Sequence, residues 1–146
     1  MRIVVQRVSE ASVTVEEKII GKISQGYLLL VGIHQTDTEK SLDYFVQKIL
    51  NLRLFTDEND KMNLSLLDVG GELLVVSQFT LYADTNKGRR PSFIEAAPPK
   101  QAKELYEKFI SKIEIALGKK VATGEFGAHM EVRLTNSGPV TILLES

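Results

Sequence analysis

The 146-residue chain contains no cysteine, so disulfides, thiolate metal sites and cysteine nucleophiles are excluded. It has only two histidines, His34 and His129, and no Gly-x-Ser-x-Gly segment, which leaves a serine-hydrolase triad without support. His34 follows a strand-like run and most simply sits in a turn, while His129 lies in an alternating stretch. Both are expected to be structural or surface groups. Long apolar runs are missing too. Residues 3–5 are far too few for a secretory core and nothing approaches the ~20 residues of a membrane span, so a cytoplasmic protein without a membrane partner is expected.

Charge of one sign is not in excess: 18 Lys+Arg stand against 19 Asp+Glu, with net charge −1 and a pI of about 6.1. A strong non-specific grip on nucleic acid needs many phosphate contacts. Any such partner must therefore be held by local patches, for which Lys87, Arg89 and Arg90 are the candidates. Lys119 and Lys120 form either a second cluster or ordinary solvated surface. Asp57, Glu58 and Asp60 share the composition of a calcium loop but lack its ligand spacing and flanking helices. A solvated turn is expected there, and no metal or cofactor.

What is present reads as one globular domain over residues 1–146, with 43% hydrophobic and 25% charged residues and no repeat or linker. The first third is β-rich, with short β-branched runs at 2–8, 12–16, 19–23 and 27–33. Leu42, Phe45, Val46, Ile49 and Leu50 then fall at helical spacing, and Thr36 with Glu39 has capping-box spacing. A strand is expected over 72–83. A second helix should start at Pro98-Pro99, bury Ala102, Leu105, Phe109, Ile113 and Leu117, and stop at Gly118. The final apolar stretch, 140–144, reads as the inside of a sheet rather than its edge. Two helices against a mostly antiparallel sheet make an α+β fold.

Two segments carry more information than the rest. Ser77-Gln78-Phe79-Thr80-Leu81-Tyr82-Ala83-Asp84 follows an apolar run. Continued as a strand, it would place Ser77, Phe79 and Leu81 on one face and Gln78, Thr80 and Tyr82 on the other. Asn136-Ser137-Gly138-Pro139-Val140-Thr141 interrupts two strand-like runs. There Gly138 has no Cβ and Pro139 lacks a donor, so the corner can present bare backbone to a ligand.

With Gln6-Arg7-Val8, Ala11-Ser12-Val13, Lys61-Met62-Asn63-Leu64 and Arg90-Pro91-Ser92-Phe93, these segments make nearly the whole chain resemble a D-aminoacyl-tRNA deacylase of the bacterial and eukaryotic type. The resemblance implies hydrolysis of the ester between a D-amino acid and the 3′ end of tRNA, on a barrel-like α+β core, in a homodimer without a cofactor. By that similarity Ser77, Gln78, Phe79 and Thr80 floor the pocket. Backbone groups around Phe79 and Thr80 hold the scissile carbonyl, and Gln78 orients the terminal adenosine. The Thr80 hydroxyl is either a nucleophile or a positioning group, and the absence of a neighbouring base favours positioning.

The resemblance also implies that Gly138-Pro139 is cis and enters the active site of the opposite subunit, where it excludes L side chains. Glycyl-tRNA, with no side chain to exclude, would then be a substrate alongside D-aminoacyl-tRNA. Arg7 is the candidate brace for that corner. The competing reading is a non-catalytic RNA-binding homodimer module that uses the basic loop and a stacking aromatic such as Phe93.

Overall fold

A computed structural model describes residues 1–146. In chain order the elements are β1 (Arg2–Val15), β2 (Lys18–Ile23), β3 (Gly26–Gly32), α1 (Glu39–Asn51), β4 (Phe55–Thr56), β5 (Met62–Leu64), α2 (Leu66–Val69), β6 (Glu72–Ser77), a 3-10 turn (Phe79–Tyr82), α3 (Pro99–Leu117), β7 (Ala122–Thr123) and β8 (Glu131–Glu145). The fold is α+β with three helices; the short α2 was not expected. No helix is long and apolar enough to cross a membrane.

The two runs expected at 2–8 and 12–16 are one long strand, β1. Ile3 and Val5 point into the core shared with the helices, whereas Val8, Ala11 and Val13 point into a second core. A bulge between Val8 and Glu10, in the pairing with β8, shifts the alternation; an extra residue in one strand re-aims every side chain beyond it. Along one edge β1 pairs antiparallel with β3 and then with β2. Strands β3, β6 and β7 are mutually parallel.

Gly21 of β2 comes so close to Thr123 of β7 that a Cβ would lie 2.9 Å from its carbonyl oxygen, so the sheet is nearly closed into a barrel. Inside lie Leu28, Leu74 and Val76 with Val8, Ala11, Val13 and Ile23. Outside, α1 and α3 cover Ile3, Val5, Leu29, Val31, Leu73 and Val75 with Leu42, Phe45, Ile49, Leu105, Phe109 and Ile113.

Helix α3 runs as its periodicity predicts, with Pro99 in its first turn and Gly118 left-handed at its end. The capping box expected at α1 is not made. Thr38 is the N-cap, without a side-chain bond. Thr36 instead engages the His34 ring, and Asp37 accepts from the His34 N–H and the Met1 ammonium.

Two further expectations fail. The strand from Glu72 ends at Ser77, so the expected alternation of faces through Tyr82 does not exist. Strand β8 pairs only with β1, so 140–144 lies at a sheet edge, with Leu143 56% exposed. The acidic stretch at 57–60 is a turn in which the Asp57 carboxylate accepts from Asn59 and Lys61 N–H groups. These bonds hold its pKa below the usual carboxylate value. The described chain has no metal-ligating cluster of acidic or imidazole groups.

Candidate active site

The β6 run Leu73-Leu74-Val75-Val76 is buried on both faces, as a strand inside a covered sheet must be, and it pairs parallel with β3 up to Val31 opposite Ser77. Parallel strands, in open sheets and in barrels alike, commonly place ligand sites outside their carboxyl ends. A cavity of about 630 Å³ lies there, within the usual range for small-molecule pockets. Ser77, Gln78 and Phe79 form one wall. Phe93 and Ala96–Pro99 form another, and Phe126–Met130 a third, over a floor that includes Val31, Val76 and Tyr106. The surround is mostly apolar, so polar groups within it act at a reduced dielectric.

After Ser77 the backbone leaves the sheet. The Gln78 N–H still donates to Val31 O, 2.8 Å, but Leu81 N–H turns back to Gln78 O and Ala83 N–H to Thr80 O. The first N–H groups of a helical turn precede its own hydrogen bonds, so the turn's own ladder does not use those of Phe79 and Thr80. The Phe79 side chain is 56% exposed and meets Phe93 edge-to-face, ring centroids 5.1 Å apart. The Gln78 amide donates to the Thr80 hydroxyl. Thr80 itself is exposed and does not line the cavity.

Burial pushes the Tyr106 phenol far above its ordinary value, and its hydroxyl is committed to Val75 O at 2.8 Å. His129 lies in the loop before β8 rather than in a strand, and it lines the cavity mouth; its position in an apparently alternating stretch hid this. His34 stays outside the cavity, packed against Tyr82 with its ring Nδ1 2.8 Å from the Thr36 hydroxyl. Phe126, Met130 and Tyr106 come from distant parts of the chain, and no spacing in the sequence signalled their convergence.

The Gly138–Pro139 peptide is cis and exposed. In the β1–β8 register, Gln6 faces Thr141 and Val8 faces Asn136, so residues 137–140 bulge out opposite Arg7 alone. The Asn136 side chain closes the bulge by accepting from Val140 N–H and donating to the Thr141 hydroxyl. Arg7 reaches into it, its Nε donating to Ser137 O while its Nη1 donates to Leu54 O. Within one chain, then, the corner and Arg7 are joined to each other but stand apart from the cavity.

Lys87, Arg89 and Arg90 lie on the exposed loop between Asp84 and Ser92, which is clasped by the paired main chains of those two residues. None of the three cations has an ion-pair partner in the chain, whereas Lys120 is paired with Glu114.

The fold and cavity define an α+β, nearly closed barrel whose site is walled by the carboxyl end of a parallel strand and the turn after it. The chain belongs to the D-Tyr-tRNA(Tyr) deacylase family, whose profile matches residues 4–145. It is 61% identical over all 146 residues to the D-aminoacyl-tRNA deacylase of Clostridioides difficile, covering 97% of that protein, and 58% identical to that of Bacillus velezensis, covering 99%. Among solved structures it resembles the c-Myc DNA unwinding element binding protein, at 45% identity and a TM-score of 0.95 over 100% of this chain and 99% of that one. A probable eukaryotic D-amino acid tRNA deacylase shares the fold, with a TM-score of 0.86 at 19% identity, over 98% of this chain and 97% of that one.

Proposed function

We propose that the chain, acting as one domain over 1–146 in the cytoplasm, hydrolyses the ester between a D-amino acid and the 3′ end of tRNA. The observation that carries this reading is the gathering of Ser77, Gln78 and Phe79 on one wall of an apolar cavity in a chain that matches the deacylase family over nearly its whole length.

An aminoacyl ester is already activated, so positioning and oxyanion stabilisation supply most of what its hydrolysis needs. A water oxygen adds to the ester carbonyl carbon and the carbonyl electron pair moves onto oxygen. The main-chain N–H groups of Phe79 and Thr80 receive that oxyanion. Collapse breaks the bond to the ribose oxygen, which takes up the proton lost by the water. Gln78 orients the terminal adenosine, Ser77 lines the substrate pocket beside it, and Thr80, tied to Gln78, acts by positioning. The basic loop of Lys87, Arg89 and Arg90 meets tRNA phosphates.

Chiral selection comes from Gly138-Pro139 of a second copy. The exposed corner, its separation from the cavity of its own chain, and the unpaired outer edge of β8 support a homodimer in which each corner completes the other site. The glycine carbonyl captures the substrate amino group and the corner occupies the space an L side chain needs, while a D side chain points to solvent. Glycyl-tRNA passes the same filter.

The test is a deacylation time course with matched D-tyrosyl-tRNA and L-tyrosyl-tRNA beside a no-enzyme control. Release from the D form alone is expected; decay of both at the control rate sinks the reading. One observation favours a second reading, a non-catalytic nucleic-acid-binding module: the free cations of the basic loop, in a chain 45% identical to a protein described as binding DNA. Tight binding of tRNA with no turnover would select it.

A further inference from the structure

The turn Phe79–Tyr82 is a single 3-10 turn, joined to its flanks by the main-chain bonds from Leu81 N–H to Gln78 O, 3.2 Å, and from Ala83 N–H to Thr80 O, 3.1 Å. A single such turn is a weak structure by itself, yet under the proposed function it carries the two N–H groups that meet the oxyanion. Something outside it must fix its position.

The geometry points to Arg2 as the positioning residue for this turn, an inference that rests on the deacylase reading and adds to it. Arg2 Nη1 donates to Leu81 O at 2.9 Å, two residues beyond Phe79. Its guanidinium also lies over the Tyr82 ring, 4.7 Å from the centroid. On its other side Nε pairs with Glu145 at 2.7 Å, the residue that faces Arg2 across the β1–β8 ladder. One side chain thus ties the far end of the turn to the ends of β1 and β8.

Gly32, which faces Arg2 across the β1–β3 ladder, makes the seat. A Cβ there would lie 3.1 Å from both Gln78 O and the Leu81 Cβ, so the missing side chain lets the turn lie close on the strand. Arginine suits the role because its planar fork holds a carbonyl, a carboxylate and an aromatic face together, which a lysine ammonium cannot do.

A donor displaced by even a fraction of an ångström loses its effect on the oxyanion. Arg2→Met keeps an unbranched stem against Tyr82 and removes every donor. It is expected to lower kcat for D-tyrosyl-tRNA by roughly 10- to 100-fold, below the full loss of an oxyanion donor, with KM within about twofold because uniform binding is untouched. Arg2→Lys, with one donor to share, is expected to fall between Met and wild type.

Thermal melts of each variant separate this effect from unfolding. If Arg2→Met does not fold, Arg2→Lys decides: turnover below wild type at unchanged KM supports the inference, and wild-type turnover overturns it. Wild-type kcat in a folded Arg2→Met, or a fall that merely tracks the folded fraction, also overturns it. Those outcomes leave the deacylase reading standing, whereas an inactive wild type would sink that reading and this inference with it.

Discussion

Arg7 Nε donates to Ser137 O at 2.9 Å, immediately before the cis Gly138–Pro139 peptide, while Nη1 of the same guanidinium donates to Leu54 O. The corner is therefore braced through a buried strand to the segment after α1. Arg7→Ala leaves both carbonyls short of a charged donor, and bonds to charged groups contribute about 1.5–3 kcal/mol each. The expected result is a lower melting temperature together with faster release of L-tyrosyl-tRNA relative to the D form. Unchanged selectivity in a folded Arg7→Ala enzyme would separate the brace from chiral choice.

Gly138 has φ of 129° and a Cβ there would lie 2.8 Å from Arg7 Nη2 and 2.9 Å from Val140 Cγ2. Gly138→Ala is expected to cost about 1–3 kcal/mol through that backbone region and to displace the corner. The D/L ratio of deacylation rates should drop about 10-fold or more, the equivalent of roughly 1.4 kcal/mol between the two transition states. Matched initial rates on the two esters measure it.

Thr80 is exposed and its hydroxyl accepts from Gln78, with no imidazole or carboxylate among its partners. A nucleophile without a base is weak, so Thr80→Val is expected to retain turnover within about 10-fold of wild type, short of the ~100-fold or more that loss of an oxyanion donor costs. Loss beyond roughly 1,000-fold would return the hydroxyl to the chemistry.

Lys87, Arg89 and Arg90 are exposed and unpaired. Changing all three to alanine should raise KM for aminoacyl-tRNA with little change in kcat. The salt dependence of binding should also flatten by about 0.7–0.9 in log–log slope for each phosphate that is no longer neutralised. An unchanged slope would remove the loop from the tRNA interface.

Burial holds the phenols of Tyr27, Tyr82 and Tyr106 above their ordinary pKa of 10, Tyr82 at about 12. In the unfolded chain they ionise near 10. Because the folded values are raised, their stabilising effect is complete below pH 10 and is lost as pH rises through the folded values. Denaturation midpoints should fall steeply between about pH 10 and 12 while the tyrosinate absorbance of these rings lags behind that of the unfolded protein. Absorbance rising fully near pH 10 with the fold intact would contradict it.

The α3 boundaries, the buried stripe of α1 and the left-handed Gly118 could be read from the sequence, because period 3.6, a proline start and a glycine stop are local properties of the chain. So were the two segments that mark the family, and the pairing of Arg7 with the corner followed from resemblance. The end of β6 could not be read. Residues 78–82 are as compatible with a strand as the run before them, and they turn away because Gly32 leaves room and Arg2 holds Leu81 O.

The sequence by itself determined the α+β class, the helices α1 and α3 and the short list of residues worth testing, since these depend on patterns within a few turns of chain. Only the tertiary structure decided that β1 is one bulged strand serving two cores, that β8 lies at an edge, and that Phe79 faces Phe93 over a cavity closed by Tyr106, Phe126 and His129. Those outcomes depend on which distant segments meet, and the meeting is selected by burial of both sheet faces together, a property that no local window of sequence contains.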